Sequence, residues 1–248
     1  MSGAGGELRA VPVHGLPEIE AGTKLGELIA AAAGIEDGDV IVIAQKVVSK
    51  AEGRVRHLSS AIPGAEARKL AAALGKEPTL VQLILEESRE VLRAERGVLI
   101  TETHHGFVCA NAGIDTSNLP DKDTVCLLPE DPDASARRIR SELSTTIGVV
   151  ITDSFGRAWR LGQAEVAIGC AGLVPLDDWH GRRDAHGREL EATLIAIADE
   201  AAAAADLARS KDSRVPAVVL RGLDRFVTAE DGPGAAALRR PRNEDLFR

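Results

Sequence analysis

The chain has no tyrosine, four phenylalanines and two tryptophans, so aromatics are only 2% of its 248 residues. Base stacking on aromatic platforms is therefore disfavoured as a main mode of recognition. Cysteine is scarce: Cys109, Cys126 and Cys170 are an odd count with no CxxC pair. That disfavours a disulfide framework and a structural zinc site and fits a reducing compartment. No apolar run approaches the roughly 18–20 residues needed to cross a bilayer. The N-terminal Met-Ser-Gly-Ala-Gly-Gly-Glu has neither the basic nor the apolar region of a secretory signal, so it reads as a frayed leader. A cytoplasmic protein with no membrane partner is expected. Positive charge is in deficit, with 30 Lys+Arg against 38 Asp+Glu and a net charge of -8. A basic face for nucleic acid is not expected.

Several familiar motifs are missing as well. There is no GxxxxGK[ST] phosphate loop, no GxGxxG between a strand and a helix, no HExxH and no GxSxG. What is present is ordinary globular material, 44% hydrophobic and 27% charged, long enough to bury a core without staples. One domain over residues 1–248 is expected, with two subdomains as the variant and no obvious linker.

The pattern along the chain mixes strands and helices. Leu8 to Leu16 reads as a strand, and Thr23 as the cap of a helix to about Ala33. Val40 to Ala44 is a continuous apolar run of strand length, expected to be buried on both faces. Helices are expected over Ala65 to Leu74 and from Pro78 through Val91, which continues a helical spacing with Leu80, Leu83 and Ile84. Val98 to Thr103, Phe107 to Ala110, Thr124 to Leu128 and Gly148 to Ile151 read as strands. Asp131-Pro132-Asp133 opens a helix to about Leu143, and Glu191 to Leu207 reads as helix. Pro216 to Leu220 is a late strand. Strict alternation is lacking, so an α+β arrangement is favoured over a doubly wound parallel sheet.

Four segments carry candidate chemistry. Gln45 to Arg54 puts two lysines, a serine and an arginine directly after a buried strand, where open sheets bind ligands. A solvated charged turn is the plainer explanation. Asn111 to Asn118 has turn chemistry, or else Asp115 ligates a hard cation and Asn118 bonds a nucleotide. In Ile151 to Gln163, Asp153 and Ser154 offer the oxygen ligands that Mg²⁺ or Mn²⁺ prefers, and Arg157 and Arg160 can hold anions. The alternative there is a helix cap with surface arginines. Glu230 to Gly234 and Arg239 to Arg242 read as a loose tail or as a loop closing over phosphates. His104, His105, His180 and His186 lack a third matching ligand and are expected to be exposed or hydrogen-bonded.

Taken together, these pieces resemble the coenzyme F420-0:L-glutamate ligase family, also called F420-0:γ-glutamyl ligase. The resemblance rests on Gly15-Leu16-Pro17-Glu18-Ile19, Gln45 to Arg54, Gly113-Ile114-Asp115 with Ser117-Asn118, Thr152 to Gln163, and Arg240-Pro241 with Glu244 to Arg248, all in the family's order. It is similar to the stand-alone form, without a nitroreductase-like C-terminal domain. The resemblance implies an unusual mixed, barrel-like ligase fold and a homodimer. It implies a GTP-dependent ligase with Mg²⁺ or Mn²⁺ and K⁺, whose small-molecule substrates are coenzyme F420-0, L-glutamate and GTP. GTP would convert a carboxylate into an acyl phosphate, which the amine of glutamate attacks, and further γ-linked glutamates would follow. By position, Leu16, Pro17, Glu18, Ile19, Gln45, Lys50 and Asn118 would contact the nucleotide. Asp115, Asp153 and Ser154 would bind metal, with Asp153, Arg157 and Arg160 as the catalytic set. Two other readings stay open: a ligase of the same fold for another carboxylate acceptor, and a non-catalytic GTP- or metal-binding regulator.

Overall fold

The computed structural model describes residues 6–117, 121–210 and 213–246. Its strands are β1 (Arg9–Pro12), β2 (Val40–Ala44), β3 (Val55–His57), β4 (Ser88–Glu95), β5 (Val98–Thr103), β6 (Val108–Ala110), β7 (Thr124–Cys126), β8 (Gly148–Arg157), β9 (Arg160–Ala171), β10 (Asp177–Asp178), β11 (Leu194–Ile195) and β12 (Ala217–Arg221). The helices are α1 (Leu25–Ala32), α2 (Gln45–Ala51), α3 (Ala65–Leu74), α4 (Pro78–Glu86), α5 (Pro132–Ser141) and α6 (Ile197–Leu207). This is an α+β fold. The sheets do not close: the largest is five-stranded in the order β1-β12-β2-β8-β9, so the barrel-like expectation gives way to an open sheet.

The apolar run of β2 is explained by its position. It is flanked by antiparallel β12 and parallel β8, and all four residues from Val40 to Ile43 are fully buried. Alternation sends Ile41 and Ile43 to one core with α1, α2 and α5, and Val40 and Val42 to another with α6. Residues 55–127 form a second body between α2 and α5. Its own core joins Ala67, Ala71 and Leu74 of α3, Val81, Leu83 and Ile84 of α4, Leu99 of β5 and Val125 beside Leu127.

Further expectations are corrected: the helix expected from Glu191 begins only at Ile197, with Leu194–Ile195 in β11. The helix from Pro78 stops at Glu86, and Val91 belongs to β4, paired with Thr101. Gln45 to Ala51 is a short helix rather than a charged turn. Asp153 does not end its strand, because β8 continues to Arg157 and turns directly into β9.

The C-terminal segment is fastened rather than loose. Arg140 donates to Asp231 Oδ1 at 2.7 Å and to the carbonyl oxygens of Thr228 and Ile147, both at 2.8 Å. Asp133 accepts from the backbone N–H of Ala235 at 2.7 Å and of Cys170 at 2.8 Å. Gly234 is required there: at φ 76°, a Cβ would lie 2.4 Å from the Asp133 carboxyl carbon. Ile147 precedes the first residue of β8, so Thr228 to Asp231 sits at the end of the sheet opposite Asp153. Glu230 to Gly234 therefore does not cover a site at Asp153. Further on, Arg239 donates to the His105 carbonyl at 2.6 Å and strap-like ties the second body to the first.

Candidate functional site

Strand direction brings one edge of the large sheet together. β12 is antiparallel to both β1 and β2, and β8 is parallel to β2. The carboxyl ends of β1, β2 and β8 thus share an edge with the start of β12. The loop 13–19 leaves β1 at this edge, and α2 leaves β2. Val13 N–H bonds the Ala217 carbonyl at 2.9 Å, and Ala44 N–H bonds that of Pro216 at 2.8 Å.

Within the loop, Ile19 is buried and Leu16 packs on the same core, while Glu18 is largely exposed. Glu18 makes an ion pair and hydrogen bond with Lys50 from the last turn of α2. Gln45 opens α2 and is buried. Its Oε1 accepts from Ser49 Oγ at 2.8 Å, and its Nε2 has no hydrogen-bond partner. A buried amide donor without a partner is uncommon in native structures and calls for a reason.

Lys46, one residue on, meets the second body. Its Nζ lies 2.8 Å from Asp115 Oδ2, 2.8 Å from the Ser117 carbonyl oxygen and 3.0 Å from Ser117 Oγ. Asp115 is fixed by backbone bonds in both directions with Cys126, at 3.0 and 2.9 Å. Burial pushes the Asp115 carboxyl upward, but the Lys46 ammonium and Ser117 outweigh it and hold the carboxyl below its ordinary range. The residues before it, Asn111, Ala112 and Gly113, all have positive φ, a left-handed turn that two of them adopt against their side chains. Gly113 is required, because a Cβ would lie 2.8 Å from Leu128 Cδ1.

Asp153 follows Thr152, the register partner of Ala44, and so stands level with the start of α2. It lies between Ile151 and Phe155, which face the core containing Phe107. Phe155 meets Phe107 edge-on with centroids 6.0 Å apart. Burial raises the Cys109 thiol to about 12, and the Asp153 charge adds to that rise. Asp153 therefore faces the body that carries Asp115. Ser154 faces the other way, because successive strand residues alternate. Its hydroxyl donates to Glu165 Oε1 on β9. Arg209, just beyond α6, places Nη2 3.0 Å from Glu165 Oε2 and 3.2 Å from Thr152 Oγ1. The arrangement puts Asp115, Asp153, Gln45, Lys46 and Lys50 around one corner and Ser154 on the far side of the strand.

Arg157 and Arg160 are elsewhere. They pair across the exposed tip of the β8–β9 hairpin, about 13 Å from Asp153 at some 3.3 Å per strand residue. Arg157 Nη2 donates to the Leu161 carbonyl at 2.8 Å. Pro17 lies in the 13–19 loop, and Asn118 lies outside the described residues. Glu165 and Arg209 were not singled out in the sequence, and Lys46 was counted there without a role of its own. Lys46 was visible beside Lys50, whereas Glu165 and Arg209 give no local signal.

Among the described residues, the group of three His, Cys, Asp or Glu side chains close enough to share an ion is His57, Asp121 and Asp123, all exposed. His57 Nδ1 lies 3.2 Å from the Ser59 N–H, and its Nε2 lies 3.7 Å from Asp121 Oδ2. His104 and His105 bond backbone carbonyls, and the three cysteines are free and buried. Among the described residues no helix is long and apolar enough to cross a membrane.

Comparison with known proteins shows the family. The family model described as F420-0:Gamma-glutamyl ligase matches residues 15–222. The Coenzyme F420:L-glutamate ligase of Methanothermobacter thermautotrophicus is 45% identical over 248 residues, covering 96% of this chain and 98% of the relative. The proteins of that name from Methanocaldococcus jannaschii and Archaeoglobus fulgidus are each 43% identical, covering 98% and 96% of this chain and 98% and 95% of the relatives.

Proposed function

Because this chain belongs to the F420-0:gamma-glutamyl ligase family, we propose that it joins L-glutamate to coenzyme F420-0 through an amide bond, driven by GTP, and then adds further γ-linked glutamates. The observation that carries the reading is the corner at which Lys46, Asp115, Gln45, Lys50 and Asp153 gather at the carboxyl edge of β2 and β8.

Carboxylate and amine do not condense unaided in water. In the proposed sequence a carboxylate oxygen of the acceptor takes the γ-phosphoryl group of GTP, and GDP leaves. The glutamate amine then adds to the acyl carbon, phosphate departs and the nitrogen loses a proton. Phosphoryl transfer asks the protein for position and charge rather than covalent help.

The loop from Leu16 through Pro17 and Glu18 to Ile19, with the unpartnered Nε2 of Gln45, would hold the nucleotide. Asn118 would join it. Lys50 would set a cation against the phosphates. Asp115 and Asp153 would hold Mg²⁺ or Mn²⁺, with K⁺ as a helper. The donor set fits a hard cation: Asp115 is held ionised, and its oxygens already satisfy a cation in the form of the Lys46 ammonium. Ser154, on the other face of the strand, would serve a separate ligand position. When bound, the divalent ion neutralises charge developing between β- and γ-phosphates. Arg157 and Arg160 would meet anionic groups of the acceptor or of glutamate at the outer rim. A homodimer would cover Trp159 and Leu161 on the hairpin tip, which are 80% and 97% exposed.

The test is incubation with F420-0, L-glutamate, GTP and Mn²⁺, followed by mass spectrometry. The expected result is an acceptor heavier by one or more glutamyl residues, with GDP released. An unchanged acceptor and intact GTP would refute the reading. Turnover with another carboxylate acceptor alone would keep the chemistry and change the substrate.

A further inference from the structure

We propose that the Lys46 ammonium is a resident counter-ion: it fills the cation seat at Asp115 until nucleotide phosphates draw it away, so that the divalent ion and the nucleotide bind together rather than in turn. The inference rests on the reading that Asp115 holds a divalent cation, and it adds Lys46 and Ser117 to that seat.

Three oxygens of three kinds converge on Lys46 Nζ: Asp115 Oδ2 at 2.8 Å, the Ser117 carbonyl at 2.8 Å and Ser117 Oγ at 3.0 Å. Carboxylate, main-chain carbonyl and hydroxyl are oxygen donors of the kind that hard cations take. The cradle is held by backbone. Asp115 exchanges hydrogen bonds with Cys126 at 3.0 and 2.9 Å, and its Oδ1 accepts from the Ser117 N–H at 2.6 Å. That last bond fixes the carboxylate plane and turns Oδ2 toward Lys46. Lys50, four residues on and on the same face of α2, does not enter the cradle and pairs with Glu18 instead.

An ammonium and a divalent ion cannot share Asp115 Oδ2. A small hard cation would sit about 2.1 Å from that oxygen, and the nitrogen is 2.8 Å from it. Like charges of one and two units would then stand within about 5 Å in a partly buried place, a strong repulsion. Lysine is suited to leave, because its charge is a point on a flexible stem whose donors re-form on other oxygens. Phosphate oxygens meet that need. In the unliganded chain Lys46 offsets the Asp115 charge; in the liganded chain the divalent ion does so, and Lys46 offsets a phosphate. An ion arriving alone must evict the lysine into water, whereas an ion arriving with nucleotide brings the lysine its next partner. The two ligands are therefore coupled through one side chain.

The experiment is Mn²⁺ titration of the full chain at neutral pH, without nucleotide and with saturating GDP, read as loss of the free-ion EPR signal. Without GDP, Lys46→Met is expected to bind Mn²⁺ about tenfold more tightly than the wild type, the gain from not having to break three contacts of a partly buried ammonium. Lys50→Met removes an equal charge one turn along and should gain less than about threefold, because a neighbouring charge acts only at a distance. With GDP present the gain in Lys46→Met should vanish. Lys46→Gln repeats the measurement should Lys46→Met fail to fold. A Lys46 variant that binds Mn²⁺ no tighter than the wild type without GDP overturns the inference alone, as does an equal gain in Lys50→Met or a gain undiminished by GDP. Adding Asp115→Asn to Lys46→Met should abolish the gain. If that double variant binds Mn²⁺ as tightly as Lys46→Met, the ion sits elsewhere and the cation reading of Asp115 fails with the inference.

Discussion

Lys46→Met isolates the contact that joins the two bodies at the proposed site. Methionine keeps an unbranched stem of similar length and removes the ammonium. Three contacts disappear: those to Asp115 Oδ2 and the Ser117 carbonyl at 2.8 Å and to Ser117 Oγ at 3.0 Å. Hydrogen bonds to charged groups contribute about 1.5–3 kcal/mol in the interior, and exposed ion pairs about 0–1 kcal/mol. Lys46 is 18% and Asp115 32% exposed, between those limits. A loss of about 1–2 kcal/mol is expected at neutral pH, or a Tm lower by roughly 2–8 °C for a chain of this size.

The pH dependence makes the test sharper. In the wild type Lys46 and Ser117 outweigh burial and hold the Asp115 carboxyl below its ordinary value of 3.8. Its contribution is present above the unfolded pKa and is lost as pH falls through the folded one. Without Lys46 the largest influence, burial, acts with less opposition, and the carboxyl titrates higher. The stability gap between wild type and variant should therefore narrow as pH falls through the variant's raised pKa toward the wild type's lowered one. Urea midpoints from pH 7.5 down through the carboxylate range measure it. A gap that is zero at neutral pH, or that never narrows across that range, would refute the argument.

Other consequences are as direct. Burial lowers the pKa of His105, whose Nδ1 has no partner; stability should fall as pH drops below the unfolded value of 6.5 and level off below the folded one, and His105→Gln should flatten that slope in urea titrations between pH 7.5 and 5. Gly113→Val forces a branched residue to φ 70° against Leu128 and should cost about 2–4 kcal/mol, seen as a large fall in Tm. Trp159→Ala with Leu161→Ala should leave the circular dichroism of the folded chain unchanged, because both side chains are exposed on the single chain, but should shift sedimentation from dimer to monomer. A dimer that persists would place the interface elsewhere.

Local chemistry made much of this legible. The β2 run, the limits of α3 and the Asp131-Pro132 start of α5 follow from apolar run length, a glycine stop and cap chemistry, and Asp131 does accept from the Ala134 N–H at 2.9 Å. β4 was hidden because Val91 lies at helical spacing from Leu80 to Ile84, and only the distant partner strand decides the matter. The turn Arg96-Gly97, both at positive φ, was the available signal for that hairpin. At the site, Asp115 and Asp153 stood out as carboxylates after or within strands. That Asp153 and Ser154 face opposite sides became visible only when β8 proved to continue to Arg157. Glu165 and Arg209 were invisible for a similar reason: their meaning lies in a cross-strand register and in the return of α6 to the sheet edge.

The sharing of one cation by Asp115 and Asp153 is tested most directly by anomalous diffraction at the manganese edge from crystals soaked in Mn²⁺ and GDP. The account predicts a peak bonded to an oxygen of each aspartate at roughly 2.0–2.2 Å, the distance range of a small hard cation. A peak seated on His57, Asp121 and Asp123 instead, or an ion that touches only one of the two aspartates, would contradict it.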